Sequence, residues 1–265
     1  MIEEVARNLE EVRLRSPLVH HLTNYVTVTD CANITLQLGA LPVMADSPHE
    51  VEEMVALSSA LVLNIGTISR PLLDAMLLAG RRANQLGIPV VLDPVGAGAT
   101  RLRTDGSREL LEAIRFAVVK GNSSEIGALA GLKSHTRGVE AGSVEGDLAA
   151  ACRSLAAAHH TVVVVSGARD LVVDADRTVA VDNGHPLMGR VTGTGCMLAS
   201  LTGAFAAVST PFSAAVSALV AFGVAAELAA ARSPAGPLHF KTLLFDELAG
   251  LTPEHVQRMG RVVQE

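Results

Sequence analysis

Residues 60–67, Ala60-Leu61-Val62-Leu63-Asn64-Ile65-Gly66-Thr67, decide the architecture of this chain. The run is apolar without alternation, so the strand it forms is buried on both faces, as strands inside a parallel sheet are. Gly66-Thr67 stops it. The same pattern recurs outward at Leu18–Leu22, Leu41–Met44, Ile88–Leu92 (ending at Asp93-Pro94), Phe116–Val119 (ending at Lys120-Gly121-Asn122) and Thr161–Val165 (ending at Ser166-Gly167). Helix-period segments lie between these runs. Val5, Leu9 and Val12 share one face, Val28–Leu38 is stopped by Gly39, Pro48–Leu57 follows, and Pro71–Leu86 is stopped by Gly87. Helices between parallel strands require right-handed crossovers, which predicts a layered α/β fold with a central, mostly parallel sheet. Leu171–Val173 and Thr178–Val181 flank Asp174-Ala175-Asp176-Arg177, a hairpin signal. Beyond Gly195 the pattern is mostly helical, and the polar stretch Ser134–Gly146 is expected to form a surface loop. With no linker, repeat or composition shift, one domain spanning 1–265 is expected.

Composition narrows the function classes. Apolar residues make up 49% of the chain, while tryptophan is absent and tyrosine occurs once, so the core is aliphatic. A net charge of −6 and the lack of a Lys/Arg block argue against a nucleic-acid surface. The acidic start, Met1-Ile2-Glu3-Glu4, does not read as a signal peptide, and the apolar stretch Ala214–Ala231 contains Glu227 and reads as a core helix rather than a membrane span. Cys31, Cys152 and Cys196 are far apart, which disfavours a zinc site or a disulfide framework and fits a reducing, cytoplasmic compartment. His20-His21 and His159-His160 lack the i,i+4 spacing of a helical zinc pair. Cys31 and Cys152 sit in helical patterns as core thiols.

The chemistry is expected at the carboxyl ends of the strands, where open α/β sheets bind ligands. Asn64-Ile65-Gly66-Thr67, Asp93-Pro94-Val95-Gly96, Lys120-Gly121-Asn122-Ser123-Ser124-Glu125 and Ser166-Gly167 all fall there. Asp93 and Glu125 are candidates to hold magnesium through water, since magnesium keeps several waters, and Lys120 is a candidate to neutralise phosphate. Val191-Thr192-Gly193-Thr194-Gly195-Cys196 then runs into an apolar helix. Free N–H groups and the helix dipole converge at such a turn, so Gly193, Thr194 and Gly195 are candidates for an anion site. A glycine-capped turn with a buried cysteine would read the same way. Neither the full phosphate-loop pattern nor the dinucleotide fingerprint is present.

Thr23-Asn24-Tyr25-Val26, Met44-Ala45-Asp46, Asn64-Ile65-Gly66-Thr67, Leu92-Asp93-Pro94-Val95-Gly96, Lys120-Gly121-Asn122-Ser123-Ser124-Glu125 and Gly193-Thr194-Gly195-Cys196 occur in that order. From about Ser16 to its end, the chain resembles the hydroxyethylthiazole kinases, thiamine-salvage enzymes of the ribokinase-like superfamily. The resemblance implies a ribokinase-like three-layer α/β/α fold and phosphorylation of the primary alcohol of 4-methyl-5-(2-hydroxyethyl)thiazole by ATP with magnesium. By similarity, Met44, Gly193, Asn24 and Val26 contact the thiazole, Lys120 and Ser166 bind ATP, and Asp93 and Glu125 belong to the magnesium and water network. Many relatives carry arginine and threonine at the Lys120 and Ser166 positions. The resemblance further implies a homotrimer with each site between subunits. Cys196 takes the place of the aspartate found in most of the superfamily and is the implied catalytic residue. A helix N-terminus lowers a thiol below its ordinary ~8.5, so a partly ionised base that forms no phosphoenzyme is expected. Tyr25 reads equally as substrate wall or packing. A kinase of another small alcohol, a hydrate dehydratase, and an inactive nucleotide-binding regulator are the competing readings.

Overall fold

The computed structural model describes residues 1–134 and 144–265. In chain order the first half contains α1 (Ile2–Arg15), β1 (Leu18–Leu22), α2 (Val28–Leu38), β2 (Leu41–Val43), α3 (Val51–Leu57), β3 (Ala60–Asn64), α4 (Arg70–Leu86), β4 (Val90–Asp93), α5 (Arg101–Ala113), β5 (Val118–Asn122) and α6 (Ser123–Leu129). The second half contains β6 (Lys133–Ser134), β7 (Val144–Glu145), α7 (Leu148–His159), β8 (Val162–Ser166), β9 (Asp170–Val173), β10 (Thr178–Val181), a 3-10 turn (Pro186–Arg190), α8 (Thr194–Ala206), α9 (Pro211–Ala231), α10 (Pro237–Ala249), α11 (Pro253–Met259) and β11 (Val262–Gln264). Most of the stretch expected to loop at the surface, 135–143, lies outside the described residues; its flanks β6 and β7 pair antiparallel.

One sheet takes nine strands in the order β11-β10-β9-β8-β5-β4-β3-β1-β2. Pairing is parallel from β2 to β8 and antiparallel from β8 through β9 and β10 to β11. Alternation along the strands divides the core in two. Ala60 and Val62 face α1, α2, α8, α9, α10 and α11, whereas Leu61 and Leu63 face α3 to α7. Both faces are apolar because both are covered, which produces three layers, α/β/α.

Local chemistry sets the element ends. Ser69 and Thr100 accept the N3 backbone N–H of α4 and α5, and Gly39 and Gly87 close α2 and α4 in the left-handed region. The expected helix from Pro48 begins only at Val51, because Ser47 to Glu50 form a turn bonded through the Ser47 carbonyl. The strand expected at Ile88–Leu92 runs Val90–Asp93, which carries Asp93 into the sheet rather than past its end. α9 is apolar all round, long enough by composition to cross a membrane, and buried between α8 and α10.

Close backbone packing sets the height of α8 above the sheet. A Cβ on Gly203 would lie 2.5 Å from Val62 Cγ2 and 3.3 Å from Val19 Cγ1, so the helix backbone rests directly on β3 and β1. Neither valine rotates freely out of the way. Gly203→Ala is expected to destabilise the fold by about 1–3 kcal/mol through overpacking, read as a lower urea midpoint at unchanged slope. An unchanged midpoint would mean that α8 has slack above the sheet.

Candidate active site

The exits of β1, β3, β4 and β5 converge on the first turn of α8. Asp93, at the end of β4, is 1% exposed, and each of its oxygens has a partner. Oδ1 receives Lys120 Nζ at 3.3 Å and Oδ2 receives Asn64 Nδ2 at 2.7 Å. Lys120 also donates to the Gly195 carbonyl at 3.1 Å, tying β5 to α8. Asn64 Oδ1 accepts from the Gly66 N–H and from Asn24 Nδ2, both at 2.9 Å. Asn24 Nδ2 reaches Cys196 Sγ at 3.3 Å. Asn24, Asn64, Asp93, Lys120, Gly195 and Cys196 therefore form one hydrogen-bonded circuit, closed through the α8 backbone. Sequence reading placed Asn64 at a strand end without giving it a role; its neighbour Gly66, stopping an apolar run, was the available signal.

Glu125 is used differently. It and Asn122 form a reciprocal capping box on α6, in which Glu125 Oε2 accepts the Asn122 N–H at 2.8 Å. Glu125 Oε1 accepts the Gly96 N–H at 2.8 Å, holding the β4 exit. Arg103 on α5 spans the neighbouring exits, donating to Val95 O at 2.6 Å and Gly66 O at 2.8 Å. No motif marked Arg103, because its work is done on backbone carbonyls that are distant in sequence.

Gly193 caps α8 at φ 89°, and a Cβ there would lie 2.6 Å from Thr27 Cγ2, so conformation and space both demand glycine. No side chain caps this helix, which leaves the N–H groups of its first turn available to an anion. On the far side of the turn, Ser166, Gly167, Asp170, Asn183, Thr194 and Gly195 line part of a cavity of about 440 Å³. Ser166 Oγ donates to the Gly121 carbonyl at 3.3 Å. The candidates therefore divide. Thr194, Gly195 and Ser166 border the cavity, with Lys120 and Cys196 behind the turn, whereas Val26 is 61% exposed and Met44 half-buried beyond β2 at the sheet edge, away from the cavity. Tyr25 is 79% exposed, so within one chain it is neither core nor cavity wall.

Electrostatics correct one expectation. Burial, then the charge of Asp93, push the Cys196 thiol above its ordinary range, opposing the helix N-terminus. Cys196 is therefore a thiol at neutral pH. Burial also disfavours charge on Lys120, but Asp93 and Glu125 outweigh it and keep the ammonium protonated. Asp93 is pushed up to about 6, chiefly by burial, against the pull of Lys120. Removing one member of this buried pair would strand the other's charge, at a cost of about 3–5 kcal/mol. Among the described residues, no group of three or more His, Cys, Asp or Glu is placed to hold a metal directly. Since hydrogen bonds already engage every carboxylate oxygen of Asp93 and Glu125, the pair suits a cation held through water.

Asp170, which sequence reading passed over, closes the Ser166-Gly167 turn by accepting the Gly167 N–H at 2.8 Å, and burial pushes its carboxyl up to about 7. The folded state binds this proton up to about pH 7 and the unfolded state only to about 4, so stability falls as pH rises through that window and levels above it. Asp170→Asn keeps the acceptor and removes the charge. Its melting temperature is expected to exceed that of the wild type by more at about pH 8 than at about pH 5, in ligand-free thermal scans. An equal difference at both pH values would refute the buried charge.

The sequence profile of the hydroxyethylthiazole kinase family matches residues 9–254. The chain is 56% identical over 254 residues to the hydroxyethylthiazole kinase of Methanosphaerula palustris, covering 96% of each protein. It is 52% identical over 259 residues to that of Thermoanaerobacter pseudethanolicus, covering 97% of this chain and 98% of the relative. The solved hydroxyethylthiazole kinase of Pyrococcus horikoshii OT3 superposes with a TM-score of 0.90 at 44% identity, covering 98% of each chain. Pyridoxal kinase of Staphylococcus aureus, solved with AMP-PCP and pyridoxal, superposes at 0.56 over 79% of this chain and 87% of its own, with 15% identity, and shares the fold alone.

Proposed function

This chain belongs to the hydroxyethylthiazole kinase family, and from that premise we infer how its site phosphorylates the alcohol of 4-methyl-5-(2-hydroxyethyl)thiazole with ATP. One observation carries the reading: the uncapped first turn of α8 stands between the Cys196 circuit and the cavity. ATP lies in the cavity against Ser166, with its phosphates on the N–H groups of Gly193, Thr194 and Gly195. Lys120, held charged by Asp93, supplies fixed positive potential beneath them. Asp93 and Glu125 would hold magnesium through water, and the ion would supply positive charge to neutralise the phosphates. The thiazole lies on the opposite side of the turn, along Gly193, with its hydroxyl at Cys196.

Phosphoryl transfer asks for positioning and charge stabilisation more than covalent chemistry. The alcohol donates its hydrogen bond to Cys196 Sγ and turns a lone pair toward the γ-phosphorus. As the new O–P bond forms, the bond to the leaving ADP oxygen breaks. The alcohol loses its proton only late in a loose transition state, when it passes to an oxygen of the transferred phosphoryl group. Because the thiol is raised, orientation is the larger part of the Cys196 role at neutral pH, and no phosphoenzyme forms.

Met44, Val26 and Tyr25 complete the pocket from a neighbouring subunit in a homotrimer. Val26 and Tyr25 lie exposed just past the end of β1, and Met44 lies half-buried just past the end of its edge neighbour β2, which supports this. The whole chain acts as one domain. Three free cysteines and a net charge of −6 fit a cytoplasmic enzyme.

Thiazole-dependent release of ADP with magnesium tests the activity against a panel of other alcohols. Cys196→Ala is expected to lower kcat by about a hundredfold through lost orientation of the alcohol, while Cys196→Asp retains or raises it; full turnover in the alanine variant would end the proposed role of the thiol. Light scattering on the purified protein is expected to return three times the chain mass, and a stable, active monomer would exclude the shared site.

A further inference from the structure

We propose that Asn24 is a positioning residue for Cys196 rather than a wall of the thiazole pocket, presenting an N–H to the sulfur, and that Thr27 and Asn64 hold its amide in the one orientation that does so. The inference rests on Cys196 standing beside the reacting alcohol.

The orientation follows from groups that have no choice of role. A backbone N–H only donates. The Thr27 N–H donates to Asn24 at 3.1 Å, so the atom it meets is the amide oxygen, Oδ1. The Gly66 N–H donates to Asn64 at 2.9 Å, which makes that atom Oδ1 as well. Asn24 must then turn its NH₂ toward Asn64 Oδ1, at 2.9 Å, and toward Cys196 Sγ, at 3.3 Å. Asn64 in turn points its own NH₂ at Asp93 Oδ2, at 2.7 Å. Flipping the Asn24 amide would set its nitrogen against the Thr27 N–H and its oxygen against Asn64 Oδ1.

Asn24 is also spent. It is 3% exposed. One N–H goes to Asn64 and the other to Cys196, while Oδ1 takes both the N–H and the hydroxyl of Thr27, each at 3.1 Å. No donor or acceptor remains for a thiazole ring. The Thr27 hydroxyl donates to Asn24 and accepts from Cys31 Sγ at 3.8 Å, and it also lies within reach of Cys196. A sulfur that already accepts an N–H on its inner side presents its outer lone pair to the hydroxyl of the substrate. The circuit thus sets the polarity of the thiol before substrate arrives.

The test compares Asn24→Leu, Thr27→Val and Thr27→Ser with the wild type. It measures kcat, KM for the thiazole and, without substrates, the rate at which iodoacetamide alkylates Cys196, followed by mass spectrometry of its peptide. Loss of one hydrogen bond to the sulfur should slow alkylation about tenfold in Asn24→Leu, with kcat falling at least as far and KM moving less than about threefold. Thr27→Val should move kcat and alkylation in the same direction by a smaller factor, and Thr27→Ser should restore both. A raised KM with unchanged kcat and alkylation would return Asn24 to the pocket wall. Lost activity with wild-type alkylation would also overturn the proposal. If Asn24→Leu fails to fold by circular dichroism, the Thr27 pair decides, because valine keeps the shape and serine keeps the hydroxyl. Should Cys196→Ala prove fully active, the catalytic premise fails, while the alkylation rates still decide whether Asn24 governs the thiol.

Discussion

The site depends on one buried ion pair. Lys120 and Asp93 are each almost wholly buried, on adjacent strands, and Lys120 spends a further N–H on the Gly195 carbonyl. Two opposite charges in a dry interior need each other. Their mutual requirement clamps β4, β5 and the first turn of α8 together. The candidate site is referenced to that clamp: the uncapped helix N-terminus, the thiol beside it and the cavity behind it. The surrounding aliphatic core excludes water, which strengthens the pairing and fixes its geometry.

The same low dielectric explains the state of Cys196. A helix N-terminus and Lys120 favour a thiolate, but burial and the charge of Asp93 oppose it, and the sum raises the thiol. In an enzyme of this family a neutral sulfur suits a loose phosphoryl-transfer transition state, in which the alcohol needs orientation before it needs deprotonation. Asn64 and Thr27 fix the Asn24 amide beside that sulfur through hydrogen bonds whose direction is forced at both ends. Glu125 shows the economy of the arrangement. One carboxylate caps α6, holds the β4 exit through Gly96 and adds negative charge near Asp93.

Much of this was legible along the chain. Strands buried on both faces announce themselves as unbroken apolar runs, so β3, β4, β5 and β8 read clearly, and the hairpin of β9 and β10 was marked by its turn residues. α5 was not read, because its charged sequence, Arg101 to Ala113, buries only a narrow face. β11 was missed for a different reason. Val262–Gln264 is three residues long, and only its antiparallel pairing with β10 makes it a strand. Of the site, the strand-end residues Asp93, Lys120, Ser166 and the Gly193–Cys196 turn stood out, since glycine and charge interrupt apolar runs there. Thr27, Arg103 and Asp170 did not, because each acts on a backbone group or amide that nothing in its own neighbourhood predicts.

The sequence by itself determined the layers, the parallel core and the rim on which the candidate site gathers. These follow from local rules: period-two burial, helix caps, and the conformational freedom of glycine. Tertiary structure alone decided the direction of each hydrogen bond around Cys196, the pairing of Lys120 with Asp93 and the rise of the thiol. Those depend on which groups share a water-free space after β4 and β5, whose Asp93 and Lys120 are 27 residues apart, are brought against the first turn of α8, where Gly195 lies 75 residues beyond Lys120. In that space the strength and sign of an interaction are set by burial and by neighbours, quantities that no stretch of sequence carries on its own.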